Sequence, residues 1–212
     1  MTSDPHAHQP ILESGHKLAG ASGAVILLHG RGASAEDILG LSHEFHHPNI
    51  AYLAPQAAGN TWYPYSFLSP MEQNEPWLTS ALNKINRIVN GIPILREKIV
   101  IAGFSQGACL ASEFVARNAA RYGGLIAFTG GLIGPPDTKF HYAGDLAGTP
   151  AFFGAGDPDP HVPWQRVEQS AAVLSSMGAN VVWKRYPGLP HSINPDEVDR
   201  ADQLIAAISS NF

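Results

Sequence analysis

From residue 24 the chain reads AVILLH, a continuous apolar run that stops at Gly30. So short a run without polar interruption predicts a strand buried on both faces. Residues 50–54, 98–103, 124–129 and 151–154 repeat that pattern, the first ending at Pro55. Residues 180–186 alternate and are rich in Val, Trp and Tyr, which also predicts a strand. Helices are expected between them. One spans about 35–46, with Ser34 as its N-cap. The next spans 76–95, with Pro76 at its first position and Pro93 disturbing its last turn. Others span 106–118, 163–177 (closed by Gly178) and 195–209. Residues 1–10 read as a loose polar leader.

Strands and helices thus alternate from residue 24 onward. This predicts an α/β fold with a mostly parallel central sheet and helices on both faces. We divide the chain into a leader with room for an edge strand (1–21) and a single domain (22–212). The connection between the strands at 124–129 and 151–154 is too short for a large lid domain, which suggests an open site. In such sheets the chemistry gathers on loops at the carboxyl ends of the strands.

Gly103-Phe104-Ser105-Gln106-Gly107 falls between a predicted strand and a predicted helix. A G-x-S-x-G sequence in that setting makes a tight turn that projects the serine hydroxyl from the sheet. A serine needs a base, and the base needs a carboxylate to orient it. His141, His161 and His191 are the only histidines downstream. His191 directly follows the last strand and reaches the active edge, His141 falls in a polar loop, and His161 reads as a rim residue. The acid comes from Gly156-Asp157-Pro158-Asp159-Pro160, where spacing does not choose between Asp157 and Asp159. An oxyanion hole needs two backbone N–H groups. Gln106, after the nucleophile, and Arg31, in His29-Gly30-Arg31-Gly32, are placed to supply them.

Residues 55–75 form a long loop rich in aromatics. A connection of that length is usually functional. Trp62 and Tyr63 are the pocket candidates, ahead of Tyr65, Phe67 and Trp77, because they follow the strand at 50–54. His43-Glu44-Phe45-His46-His47 matches the letters of a zinc motif. It abuts Pro48 at the helix end away from the active edge and has no third ligand, so no metal is assigned. Cys109, one turn beyond Ser105, reads as a small buried helix residue.

Composition narrows the setting. Of 212 residues, 18 are acidic and 13 basic, giving a formal charge of −5. Without a basic cluster the chain is a poor partner for nucleic acid. One cysteine excludes an internal disulfide. There is no signal-peptide pattern and no apolar stretch long enough to cross a bilayer. The expectation is a cytoplasmic protein acting on a small-molecule ester, without an integral membrane segment; a homodimer is compatible with it.

HGRGAS, GFSQGA, GDPDPHVP and YPGLPHSI resemble, in order and spacing, the bacterial phospholipase/carboxylesterase family. Its relatives include the acyl-protein thioesterases, all α/β-hydrolases. The resemblance runs from about residue 22 onward. It implies a Ser-His-Asp triad of Ser105, His191 and Asp159, oxyanion donors at Arg31 and Gln106, and no cofactor. It implies a serine esterase; we expect it to act on short to medium acyl chains, with thioesters or lysophospholipids as relatives of that chemistry. Members acting on acylated proteins commonly carry an apolar residue where Arg31 stands, and the aromatic loop also differs; both departures favour a smaller or more polar ester. The competing readings are a lactonase or peptidase with the same triad, and a non-catalytic binding module on the same scaffold.

Overall fold

A computed structural model describes residues 4–209. Among them seven strands form one sheet in the order β1-β3-β2-β4-β5-β6-β7. The strands are β1 (Ile11–Gly15), β2 (Gly23–Leu28), β3 (Ile50–Pro55), β4 (Ile99–Phe104), β5 (Gly124–Phe128), β6 (Pro150–Asp157) and β7 (Asn180–Pro187). Neighbours from β3 to β7 pair in parallel, while β1 lies antiparallel along the outer edge of β3. The helices are α1 (Ala35–Leu39), α2 (Trp77–Gly91), α3 (Gln106–Arg117), α4 (Trp164–Ser176) and α5 (Pro195–Ser209).

Period-2 alternation sends strand side chains to two separate cores. Ala24, Ile26 and Leu28 of β2 pack with α2, α3 and α4. Val25 and Leu27 pack with α1 and α5 on the opposite face. Both faces are covered, which is why these strands read as unbroken apolar runs. No helix among the described residues is long and apolar enough to cross a membrane.

Besides the helix expected over 76–95, which ends at Gly91, two stretches differ from expectation. The helix expected over 35–46 stops at Leu39 and tightens into a 3₁₀ turn over Gly40–His43. His43 and His47 therefore share no helical face, and His47 pairs with Asp202 at 2.8 Å. Among the described residues no cluster of three or more His, Cys, Asp or Glu could hold a metal ion. The second is the leader, whose residues 1–3 lie outside the described range. From Asp4 onward it is pinned rather than loose. Asp4 bonds Ser80 and pairs with Arg87, and Lys84 donates to the carbonyls of His6 and Gln9.

His6 is fully buried. Its Nδ1 accepts the Ala58 N–H at 3.1 Å, so Nε2 donates to the Trp62 carbonyl at 3.0 Å. His29, also fully buried, uses the opposite tautomer: Nε2 accepts the Ala57 N–H at 3.1 Å and Nδ1 donates to the Gly30 carbonyl at 2.8 Å. Together the two rings latch the start of the aromatic loop to the leader and to the end of β2. Burial lowers both pKa values below 6.5, keeping the rings neutral, as their acceptor nitrogens require. As pH falls through 6.5 the unfolded chain takes up these protons first. The contribution of each ring is therefore full above pH 6.5 and shrinks below it. We expect His6→Ala to cost about 2 kcal/mol by urea unfolding at pH 8, through lost hydrogen bonds and orphaned partners, and clearly less at pH 5.5. Equal costs at both pH values would contradict a neutral, buried His6.

Candidate active site

Ser105 joins β4 to α3 with φ +55° and ψ −116°. A residue with a Cβ pays for that conformation, which surrounding contacts must impose. Its N–H donates to the Phe128 carbonyl at 2.9 Å, and its carbonyl accepts the Cys109 N–H at 3.0 Å. The flanking glycines admit no side chain: a Cβ on Gly103 would strike the Gly107 carbonyl, and one on Gly107 would strike the Leu28 carbonyl. The tight turn thus follows from backbone contact between α3 and the strands on either side.

Three loops converge on the Ser105 hydroxyl. The His191 Nε2 lies 2.9 Å from Ser105 Oγ, and its Nδ1 lies 2.8 Å from Asp159 Oδ2. A carboxylate at Nδ1 accepts a hydrogen bond from the N–H of that nitrogen, fixing the tautomer that leaves Nε2 free to accept from the serine. The Asp159 side chain has no solvent exposure. Burial pushes its pKa up. The N–H groups of Val162 and His161 (each 2.8 Å from Oδ1), with His191, outweigh burial and hold it below the ordinary value. Asp157 points elsewhere and pairs with Arg185. The His161 ring stands edge-on to His191 with centroids 4.7 Å apart, at the rim. His141 is exposed and does not line the cavity.

Ser105 and His191 open onto a cavity of about 620 Å³ that Gly30, Arg31 and Gln106 also line. The N–H groups of Arg31 and Gln106 have no acceptor among the described residues. Gln106 is the first residue of α3, where backbone N–H groups are free of intrahelical partners. Cys109 also reaches the cavity, but burial lifts its thiol to about 12, which leaves it inert as a nucleophile.

The aromatic pair divides. Tyr63 forms part of the cavity wall, whereas Trp62 is turned into the core. The Trp62 indole N–H donates to the His29 carbonyl at 2.9 Å, and its ring packs 5.0 Å from His29. Tyr65 and Phe67 line the cavity as well, but Trp77 does not.

Sequence reasoning missed the side chains that hold this wall. The Gln106 amide accepts the Trp62 N–H at 3.0 Å and donates to the Tyr63 carbonyl at 2.8 Å. Arg31 donates to Thr61 Oγ1 at 3.0 Å, to the Pro64 carbonyl at 2.8 Å and to the Tyr65 carbonyl at 2.6 Å. Both partners are distant in sequence, and no local pattern announces them. On the other side Glu197, fully buried, accepts from the backbone and side chain of Asn194 at 3.0 and 2.9 Å, fixing the exit of the His191 loop. Its isolation from solvent raises its pKa to about 7.

With this geometry in place, residues 12–209 match the family model described as phospholipase/carboxylesterase. The chain belongs to the phospholipase/carboxylesterase family. A crystal structure of a phospholipase/carboxylesterase from Dyadobacter fermentans is 47% identical, with a TM-score of 0.89 over 93% of this chain and 96% of that one. The architecture is the α/β-hydrolase fold. An acyl-protein thioesterase 1 homolog from Dictyostelium discoideum is 29% identical over 87% of this chain and 90% of its own length. Acyl-protein thioesterase 1 of Gibberella zeae is 31% identical over 53% of this chain; there the match spans about half of that relative, 48% of its length.

The elbow of this family member can be probed directly. Gly107→Ala forces main chain against main chain, and we expect a loss of about 3 kcal/mol in urea unfolding. An unchanged midpoint would mean that α3 has room to withdraw from β2.

Proposed function

We propose that the protein is a serine hydrolase that cleaves carboxylic esters of short to medium acyl chains through an acyl-enzyme. The observation that carries this reading is the chain of contacts Asp159–His191–Ser105 at 2.8 and 2.9 Å, opening onto a cavity beside two free backbone N–H groups. Ser105 Oγ attacks the ester carbonyl while His191 Nε2 takes its proton. Asp159 stabilises the imidazolium. The carbonyl oxygen, now an anion, receives the N–H groups of Arg31 and Gln106; each such donor is worth about 3 kcal/mol of barrier. His191 then protonates the departing alcohol. A water attacks the acyl-serine with His191 again as base, releasing the acid and restoring Ser105. Thioesters and lysophospholipid esters fall within the same chemistry, and the names of the thioesterase relatives support including thioesters. We read the protein as acting in the cytoplasm.

The test is hydrolysis of p-nitrophenyl esters of increasing chain length. We expect Ser105→Ala to abolish turnover and Asp159→Asn to lower kcat by about 10⁴-fold, the scale seen when a triad carboxylate is neutralised. Asp157→Asn should change kcat less than about threefold, because its partner Arg185 lies outside the cavity lining. Equal, severe losses at both aspartates would undo the assignment of the acid. Unaltered turnover in Ser105→Ala would undo the mechanism.

A further inference from the structure

The cavity wall is largely apolar and aromatic and holds one fixed charge. Among its described lining residues, Arg31 is the only Lys, Arg, Asp or Glu. Its side chain is exposed, yet no carboxylate pairs with it among the described residues. Its three acceptors are a hydroxyl and two carbonyls, all neutral. A guanidinium carries five N–H donors in a rigid planar fork. Three are used, so two remain. The contacts to Thr61, Pro64 and Tyr65 hold the cation in place without neutralising it. It lines the same cavity as Ser105, on the loop whose Arg31 N–H is read above as an oxyanion donor. The chain as a whole has a formal charge of −5, which makes a cation in the cavity wall with no carboxylate partner among the described residues a local exception.

A clamp between two loops would work with a neutral donor. A fixed charge with two free donors in the wall of the cavity that holds Ser105 does more: it matches the two oxygens of a carboxylate. We infer that Arg31 recognises a carboxylate carried by the ester, so that the substrates are anionic esters, with Arg31 as a specificity-determining residue. This rests on the hydrolase reading above. It also accounts for a cavity whose largely apolar, aromatic wall carries one charge, which suits a short amphiphilic acid ester better than a plain hydrocarbon chain.

Two matched pairs of esters locate the charge. Mono-p-nitrophenyl glutarate against p-nitrophenyl butyrate places the carboxylate on the acyl side. The para-acetoxybenzoate anion against its methyl ester places it on the leaving group. For each pair the ratio of kcat/KM, anionic over neutral, is measured in wild type, Arg31→Gln and Arg31→Lys. Comparing variants cancels the intrinsic reactivity of the esters. We expect the ratio to fall about tenfold in Arg31→Gln for one pair, the size of one charge-assisted hydrogen-bonded contact at a partly solvated site. Arg31→Lys should retain part of it. In wild type the ratio should also fall when ionic strength is raised to about 0.5 M. Ratios in both pairs that Arg31→Gln leaves unchanged overturn the inference. If Arg31→Gln fails to fold, a salt-independent wild-type ratio overturns it instead. Should wild type hydrolyse neither member of either pair, the hydrolase reading fails. Calorimetry of para-acetamidobenzoate against its methyl ester then decides Arg31 on binding alone: tighter binding of the anion supports the inference, and equal binding overturns it.

Discussion

The site depends on one steric constraint, the contact of the first turn of α3 with the ends of β2 and β4. Gly107 sits against the Leu28 carbonyl and Gly103 against Gly107. That closeness forces Ser105 into its positive φ and lifts its hydroxyl above the sheet. It also brings the loop after β2 beside the free N–H groups at the start of α3. One packing contact thereby sets the position of the proposed nucleophile, Ser105, and of the Gln106 N–H that follows it. A rigid arrangement of this kind costs nothing to reorganise when charge develops, the basis of electrostatic stabilisation in such sites.

Around this contact, buried polar groups shape the cavity. His6 and His29 hold the aromatic loop from behind, and Gln106 and Arg31 hold it from the site. Beyond them Arg166, nearly buried, donates to the carbonyls of Leu132, Gly134 and Pro135. Glu113 accepts from the Ile133 N–H and the Tyr142 hydroxyl and pairs with Arg117 at 2.6 Å. These groups satisfy the backbone of connections that lack regular structure. Removing one member of such a buried, charged set costs far more than its net contribution, because it leaves buried polar partners unsatisfied.

Much of this was legible in the residues. The five apolar runs and the alternating run at 180–186 each correspond to a strand, because a sheet covered on both faces demands unbroken apolarity. The elbow was legible because its glycines and serine act through local backbone geometry. The rest involved long-range contacts. The leader looked loose because His6 is polar; its partners Ser80, Trp62 and Ala58 are far along the chain. Residues 35–46 carried helical periodicity, but the α-helix ends at Leu39 and a tighter turn follows, which separates the histidines of the zinc-like letters. Trp62 and Tyr63 are adjacent in sequence and buried in the same core, yet only Tyr63 also lines the cavity, a difference no composition rule could assign. Spacing left Asp157 and Asp159 open. In the structure a distant arginine engages the first and His191 engages the second.

The central claim is that Ser105 becomes covalently acylated with His191 as its base. Rapid quench of the protein with p-nitrophenyl butyrate, followed by peptide mass spectrometry, tests it directly. The account predicts a butyryl group on the peptide containing Ser105, formed in the burst of p-nitrophenol release and absent in His191→Ala. A burst without acylated Ser105, or acylation of equal speed in His191→Ala, would contradict it.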